Sequence, residues 1–188
     1  ITGITEALPK RRINSETAKL FNYETGTYNN KRCHISNYYN KNYQKVAQHL
    51  RFPDKSFIWL GDTDEICLFG QNLWRDGGKT IIITEGEIDA MSVSQMQNNR
   101  FPVVSVPSGA ASAKKYIKRE LEWLSKFENI ILMLDNDEAG KRAMSRINTC
   151  MKDTCMISWI ELPEKVKDVQ EIRQQALLRQ VIENRAFW

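Results

Sequence analysis

The sequence predicts an α/β protein in which a mostly parallel sheet flanked by helices follows a small mixed α+β subdomain with antiparallel strands. Two short apolar runs, residues 81–83 and 130–134, lack polar alternation, which is typical of strands buried on both faces. From about residue 80 onward, strand-like and helix-like segments alternate four times, which indicates a parallel sheet with helices on its faces. Before residue 70 the strand-like segments are short and separated by turns, as in antiparallel sheets.

Composition narrows the class of protein. The chain has 188 residues, of which 41% are hydrophobic and 27% charged, enough for one domain or two small ones. No apolar run approaches the roughly 20 residues of a membrane span, and no secretory signal is visible, so we expect no membrane partner. The chain begins at Ile1, which indicates a fragment or a processed product. A net charge of +4 is compatible with a nucleic-acid or nucleotide partner.

Cysteine and histidine spacing predicts no zinc site in this fragment. None of the cysteines forms a CxxC pair, and neither histidine completes a zinc-ligand spacing. We therefore expect free thiols in a reducing compartment. The residues concerned are Cys33, Cys67, Cys150, Cys155, His34 and His49.

The sequence of residues 1–69 predicts an arm, a helix and a small sheet. Residues 1–12 are predicted to form an extended arm that ends in the basic cluster Lys10-Arg11-Arg12, which is either solvated or touches phosphate. Asn14-Ser15 is a helix cap for residues 16–21. Residues 23–30 are predicted to be turn-rich. Short strands follow over residues 43–52, 56–60 and 66–69.

Alternation over residues 43–52 places Lys45, His49 and Arg51 on one face of a strand, and Lys55 lies in the turn that follows. That face is either an ordinary wet sheet surface or a positively charged wall for a nucleotide or a strand of DNA.

Turn residues cluster at 71–78, and the periodicity changes beyond them. We therefore expect two domains, residues 1–76 and 77–188.

The second domain is predicted to repeat a strand–helix unit. Strands are expected over residues 80–84, 102–106, 130–134 and 155–161, and helices over 87–98, 112–127, 138–151 and from Asp168 onward. The helix over 112–127 carries an apolar stripe.

Acidic residues follow two of these strands. Glu85 comes directly after the first, and Asp135 and Asp137 come after the third. Because chemistry in open α/β sheets lies beyond the carboxyl ends of the strands, we expect these carboxylates to converge on a divalent cation. An extended chain would place Asp135 and Asp137 on the same side. The alternative is helix capping, which we favour for Glu87 and Glu138.

Several further residues are candidates for binding phosphate. Ser108 and Gly109 lie in a loop that opens onto a helix N-terminus, where free amides favour anions. Lys114 follows in that helix, and Lys141 and Arg142 lie in the first turn of the helix after Asp137. The alternative for these cations is a solvated helix face.

The acidic motifs resemble those of the Toprim domain, which bacterial-type primases, topoisomerases and some nucleases share. These motifs are Glu85-Gly86-Glu87-Ile88-Asp89 and the run of residues 135–141. Further segments are similar to the primase half of bacteriophage primase–helicases, which are relatives of the mitochondrial helicase Twinkle. These are residues 69–74, 78–79, 83–89, 102–105 and 109–115.

The resemblance implies a DNA primase, a nucleotidyltransferase of DNA replication that makes RNA primers on single-stranded DNA from ribonucleoside triphosphates. It implies Mg²⁺ or Mn²⁺ held by Glu85, Asp135 and Asp137, with Asp168 as a further metal ligand. The alternative for Asp168 is the N-cap of the last helix. It also implies nucleotide or template contacts for Arg51 and Lys55, and for His49, which stands where the family pattern has a lysine.

The family also has a zinc-binding module and a hexameric helicase, neither of which is visible in this sequence, so we expect both outside the chain. The expected location is the cytoplasm of a bacterium or an infected host, or a mitochondrion for a Twinkle-like relative. Two functions remain as alternatives. One is a Toprim metal-dependent nuclease, and the other is a non-catalytic module that binds single-stranded DNA or assembles with partners.

Overall fold

Antiparallel pairing builds the first of two compact units, Ile1–Leu73 and Trp74–Trp188, in the computed structural model. The division lies close to the boundary expected at residue 76. The structure describes residues 1–151, 156–160, 162, 182–183 and 186–187. No helix in those described parts is long and apolar enough to cross a membrane.

The first unit is a four-stranded sheet with strands in sequence order, each antiparallel to the next. A 3-10 turn and one helix precede the sheet. Its elements are the 3-10 turn Pro9–Arg11, α1 (Ser15–Leu20), β1 (Tyr23–Tyr28), β2 (Lys31–Tyr39), β3 (Lys45–Arg51) and β4 (Phe57–Gly61).

The N-terminal arm lies along this sheet. Ile4 bridges Thr25 of β1, and the terminal amine of Ile1 donates to the side-chain oxygen of Gln48 at 2.6 Å. A core of Cys33, Ile35, Leu50 and Phe52 is buried within the unit. Desolvation raises the pKa of the Cys33 thiol.

The helix prediction is confirmed, and two other predictions in this unit are wrong. Asn14 caps α1 through a 2.8 Å hydrogen bond from the Thr17 amide. Residues 23–30 are not turn-rich throughout, because β1 occupies most of them and only Asn29 and Asn30, both with positive φ, make the hairpin turn. Residues 66–69 are buried but form no strand beyond one bridge.

In the described part of the second unit, five strands lie in the order β6-β5-β7-β8-β9, and the first four are parallel. β9 is antiparallel to β8 and was not predicted. The elements are β5 (Gly78–Thr84), α2 (Glu87–Met96), β6 (Val103–Ser105), α3 (Ala113–Arg119), α4 (Leu121–Leu124), β7 (Phe127–Met133), α5 (Glu138–Met151), β8 (Met156–Trp159) and β9 (Ala186–Phe187).

The single helix expected over residues 112–127 is wrong. The chain breaks at Glu120, whose carboxylate is 1% exposed and lies 3.5 Å from Arg119 Nε. Phe127 is not helical but is the first residue of β7, where it pairs with Gly78 at the start of β5. The predicted loop at residues 163–167 and the helix from Asp168 lie outside the described residues.

Candidate functional site

The parallel strands bring their carboxyl ends to one edge of the second sheet. β5 and β7 are adjacent, with Thr84 in register with Met133. Glu85 therefore leaves the sheet beside the segment that contains Asp135. This neighbourhood follows from strand order, since two acids fifty residues apart in sequence end two hydrogen-bonded strands.

The Glu85 carboxylate connects two loops. One oxygen accepts a hydrogen bond from the Ala110 amide at 3.3 Å, and the other accepts one from the Asp135 amide, also at 3.3 Å. Ala110 follows β6 and Asp135 follows β7, so one half-buried side chain links the loops after both neighbours of its own strand. The arrangement holds Glu85 and the Asp135 backbone together before any ligand binds.

Asp137 lies at the start of α5. The chain leaves the extended conformation after Met133, and residues 136 and 137 lie in a bend. The Asp137 carboxylate accepts a 2.9 Å hydrogen bond from the Gly140 amide, so it caps the helix. Its side chain is exposed, whereas Asp135 is half-buried. The extended spacing expected between these two acids is therefore not what the structure has.

The described residues contain no group of three histidine, cysteine, aspartate or glutamate side chains arranged to hold a metal ion. The donors at this edge are nevertheless carboxylate oxygens, the ligand type that Mg²⁺ prefers. Mg²⁺ is commonly held by one or two protein carboxylates, with waters and substrate phosphates as the other ligands. Glu85 and Asp135 fit that requirement. Asp168 falls outside the described residues.

The loop after β6 differs from the expected phosphate cradle. Ser108 and Gly109 both have positive φ, and the Ser112 hydroxyl donates to the carbonyl oxygens of Pro107 and Gly109. The Ala110 amide, which would face a phosphate, already donates to Glu85.

The basic candidates of the second unit are exposed. Lys114 and Lys141 are solvent-accessible. Arg142 is also exposed and lies 3.7 Å from Glu138, one helical turn away. Such pairs contribute little to stability and leave the cations accessible to a ligand.

The basic candidates of the first unit do not form the open face expected from alternation. His49 is 7% exposed because its ring stacks on Trp59, at 4.3 Å between centroids, and on Phe57, at 5.0 Å. The Arg51 guanidinium lies 5.6 Å from the Phe57 ring centroid, as in a cation–π contact. Lys55 is exposed in the β3–β4 turn.

Sequence reasoning did not select His34 as a functional residue. His34 lies directly opposite Arg51 in the β2–β3 register, and their side chains share one face. Only the strand pairing reveals this neighbourhood, since no local motif surrounds His34.

Two family models match the chain. A Toprim-like model matches residues 82–173, and a model described as the N-terminal a+b fold of the bacteriophage T7 DNA helicase/primase matches residues 3–61. The DNA helicase/primase of Enterobacteria phage T3 is 39% identical over 137 residues, which are 73% of this chain and 24% of that protein. The chain thus spans about a quarter of the length of that relative.

Solved structures of phage T7 proteins are similar over nearly the whole chain. The primase fragment of the T7 primase-helicase matches with a TM-score of 0.86 and 34% identity, over 96% of this chain and 74% of that one. A T7 primase domain, solved with the lagging-strand DNA polymerase, an RNA/DNA hybrid and dTTP, matches with a TM-score of 0.88 and 34% identity, over 99% of this chain and 94% of that one.

Proposed function

The chain belongs to the family of bacteriophage primase–helicases, as a Toprim-fold primase core, and from that premise we propose that it synthesises short RNA primers on single-stranded DNA. The proposed reaction is nucleotidyl transfer from ribonucleoside triphosphates. The observation that carries it is the contact of the Glu85 carboxylate with the Asp135 amide at the carboxyl edge of the sheet. It supports a catalytic edge at which acids from β5 and β7 act together.

In this proposal Glu85, Asp135 and Asp137 would hold the divalent metal, and Asp168 would be a further ligand. Bound Mg²⁺ or Mn²⁺ would offset phosphate charge and lower the pKa of the attacking hydroxyl. That hydroxyl attacks the α-phosphorus of the incoming nucleotide, its proton is lost to solvent, and the bond to pyrophosphate breaks. Glu85 keeps the loops after β6 and β7 in place while the reaction proceeds.

Cationic side chains would bind the substrates. Lys114, Lys141 and Arg142 are exposed on the unit that carries the acids, where they can receive triphosphate oxygens. Ser108 and Gly109 would contribute to phosphate binding through the loop that they form, although the neighbouring Ala110 amide already donates a hydrogen bond to Glu85. On the first unit, Arg51 and Lys55 would contact nucleotide or template, and His49 would support Arg51 through their shared contact with Phe57.

The partners are also proposals. The solved T7 structure contains primase domains with an RNA/DNA hybrid and dTTP, which supports a single-stranded DNA template and nucleotides as ligands here. A relative that is a helicase/primase supports a helicase outside this chain, and we propose a zinc-binding module there as well. The proposed location is the cytoplasm of an infected bacterial host. The phage relatives give no support to a mitochondrial location.

One assay tests this function against its alternatives. Single-stranded DNA, labelled ribonucleotides and Mg²⁺ or Mn²⁺ are supplied to the chain. Short labelled oligoribonucleotides support a primase, shortened DNA supports a nuclease, and binding without product supports a non-catalytic module.

Asp135→Asn is the sharpest variant for that assay. It removes the charge but retains the backbone amide that Glu85 binds, so the fold is kept. We expect primer synthesis to fall by at least about a hundredfold, as when a key electrostatic group is removed. Glu128→Gln is the matched control, because Glu128 is an exposed acid at the start of β7, whereas Asp135 follows the end of that strand. Equal synthesis by the two variants would refute the assignment of Asp135.

A further inference from the structure

The amino edge of the second sheet, where its parallel strands begin, carries a pocket of about 590 Å³. Gly78, the first residue of β5, and Pro102, just before β6, both line it. The proposed catalytic acids follow the other ends of the strands, and a strand of seven residues such as β5 is about 20 Å long. Because chemistry in open α/β sheets lies at the carboxyl edge, this pocket is a separate site. We refer to it as the amino-edge pocket.

The interior of the amino-edge pocket is apolar. Ile82 and Ile131 line it as partners in the β5–β7 register, so their side chains lie side by side on one face of the sheet. Trp74 forms a further wall, and its indole nitrogen donates to the Val103 carbonyl oxygen at 2.9 Å, which restrains the ring. Phe101 is 58% exposed and extends the apolar surface to the rim. Aromatic side chains of this kind often dominate the energetics of protein interfaces.

Three exposed cations from separate segments surround this interior. Arg75 precedes β5, Lys79 lies at its start, and Arg100 follows α2. No acid is among the described residues that line the pocket. Asp76 is the sequence neighbour of Arg75, but its carboxylate accepts a 2.7 Å hydrogen bond from Lys126, which holds the pKa of Asp76 below its usual value. The pocket therefore favours a ligand that is both apolar and negatively charged.

The form of the lining favours a peptide over other anionic ligands. Small-molecule sites usually have a few precisely placed polar groups inside them, whereas the charged groups here are exposed side chains at the rim. Nucleic acids bind chiefly through their phosphates, and the isoleucines inside the pocket offer no hydrogen-bonding group to a base. In a peptide, carboxylates on either side of an apolar residue can reach cations that surround an apolar centre.

We propose that the amino-edge pocket binds an acidic segment of a partner protein. One apolar side chain of that segment packs against Trp74 and Phe101, and the carboxylates beside it pair with the three cations of the rim. Guanidinium groups bind carboxylates through two parallel hydrogen bonds, which adds geometric specificity to the charge. Since the pocket lies at the opposite edge from the proposed catalytic acids, the partner can stay bound while substrates occupy the carboxyl edge.

The first experiment selects a ligand without presupposing its sequence. Random short peptides displayed on phage are selected on the wild-type chain, after depletion on the bare support. We expect enriched peptides to carry Asp or Glu on both sides of an apolar residue. An enriched peptide is then synthesised with a fluorescent label, and its affinity is measured by polarisation. Selection that yields no binder, or binders without acidic residues, overturns the proposal.

Variants then locate the bound peptide. Arg75→Glu and Arg100→Glu should each weaken binding at least about tenfold, because each places a like charge against the carboxylates of the peptide. Phe101→Ser should weaken it about tenfold by removing apolar contact, and it leaves the fold intact because the side chain is exposed. Lys118→Glu is the matched control, since Lys118 is an exposed cation of α3 that does not line the pocket. Equal weakening by this control, or unchanged binding by the three pocket variants, overturns the proposal.

A labelled single-stranded DNA oligonucleotide, added in EDTA, is the second ligand. The arginine variants should bind it as Lys118→Glu does, because all of them change the net charge equally. A loss of DNA binding that is confined to the pocket variants would assign the pocket to nucleic acid and overturn the proposal. Primer synthesis is not measured, so the result does not depend on the proposed catalytic function.

Discussion

Gly140 lies where a side chain has no room. Replacing it tests the geometry of the carboxyl edge of the second sheet, where Glu85 and Asp135 lie, which we call the acidic edge. It lies in the first turn of α5, at a backbone conformation that any residue can adopt. A Cβ at this position would lie 2.1 Å from the Asp135 carbonyl oxygen and 3.1 Å from its carbonyl carbon. The first distance is more than an ångström shorter than ordinary contact, so in Gly140→Ala the helix or the Asp135 peptide must move.

Two effects of opposite sign set the cost to stability. Forcing an extra methyl group into a packed site costs about 1–3 kcal/mol. Replacing glycine by alanine within a helix returns about 1 kcal/mol. The free energy of unfolding should therefore fall by no more than about 2 kcal/mol. Activity should respond far more, since a misplacement of about 1 Å at a catalytic group can cost about a hundredfold in rate.

Two measurements on Gly140→Ala separate these effects: primer synthesis on a single-stranded template, and unfolding by urea. Ser145→Ala is the control, because it raises helix propensity at an exposed position of α5 without a clash. The expected result is a lower unfolding midpoint, corresponding to a loss of no more than about 2 kcal/mol, with synthesis reduced about a hundredfold. Synthesis within about threefold of the control, in a folded variant, would show that the Asp135 peptide does not need its observed position.

Two predictions concern the first unit. Asn14→Ala removes the hydrogen bond from the Thr17 amide and should lower the free energy of unfolding by about 1 kcal/mol in urea titrations, and an unchanged midpoint would contradict the capping role. The pKa of His34 is lowered in the folded state, so between that pKa and about 6.5 the unfolded chain binds more protons than the folded chain. The free energy of unfolding should therefore fall as the pH drops through this window, and it should level off below the window. Unfolding of wild type and His34→Gln at several pH values checks this, and parallel curves would exclude His34 as the cause.

The two strands that the acids follow could be predicted from sequence, because a short run of apolar, largely β-branched residues is typical of a buried strand. Ile81, Ile83 and Leu132 are fully buried in the sheet. β1 was missed because Gly26 interrupts it. The structure supplies the reason for this glycine: a Cβ there would lie 2.8 Å from the Ile35 side chain and 3.4 Å from Gly3 in the arm that passes over it. A contact with an arm distant in sequence is not visible in a local pattern.

The charged face of β3 illustrates a second limit. Alternation correctly places His49 and Arg51 on one side of the strand, but it does not reveal what lies beside them. The register pairs His49 with Trp59 and Arg51 with Phe57, so an aromatic row from β4 lies next to the basic one. Stacking then buries His49. Periodicity predicts the face of a residue, whereas exposure depends on the neighbouring strand.

At the carboxyl edge of the second sheet, the backbone of Asp135 is held by two contacts that no local sequence pattern reveals. Its amide donates to Glu85, which follows another strand, and its carbonyl is approached so closely by Gly140 that no side chain fits between them. The two contacts restrain the backbone of this one residue on both sides of its Cα atom. Asp137, between Asp135 and Gly140, caps the same helix through the Gly140 amide. The spacing from Asp135 to Gly140 therefore follows from packing within the protein, and a carboxylate placed by packing is already in position before a ligand arrives.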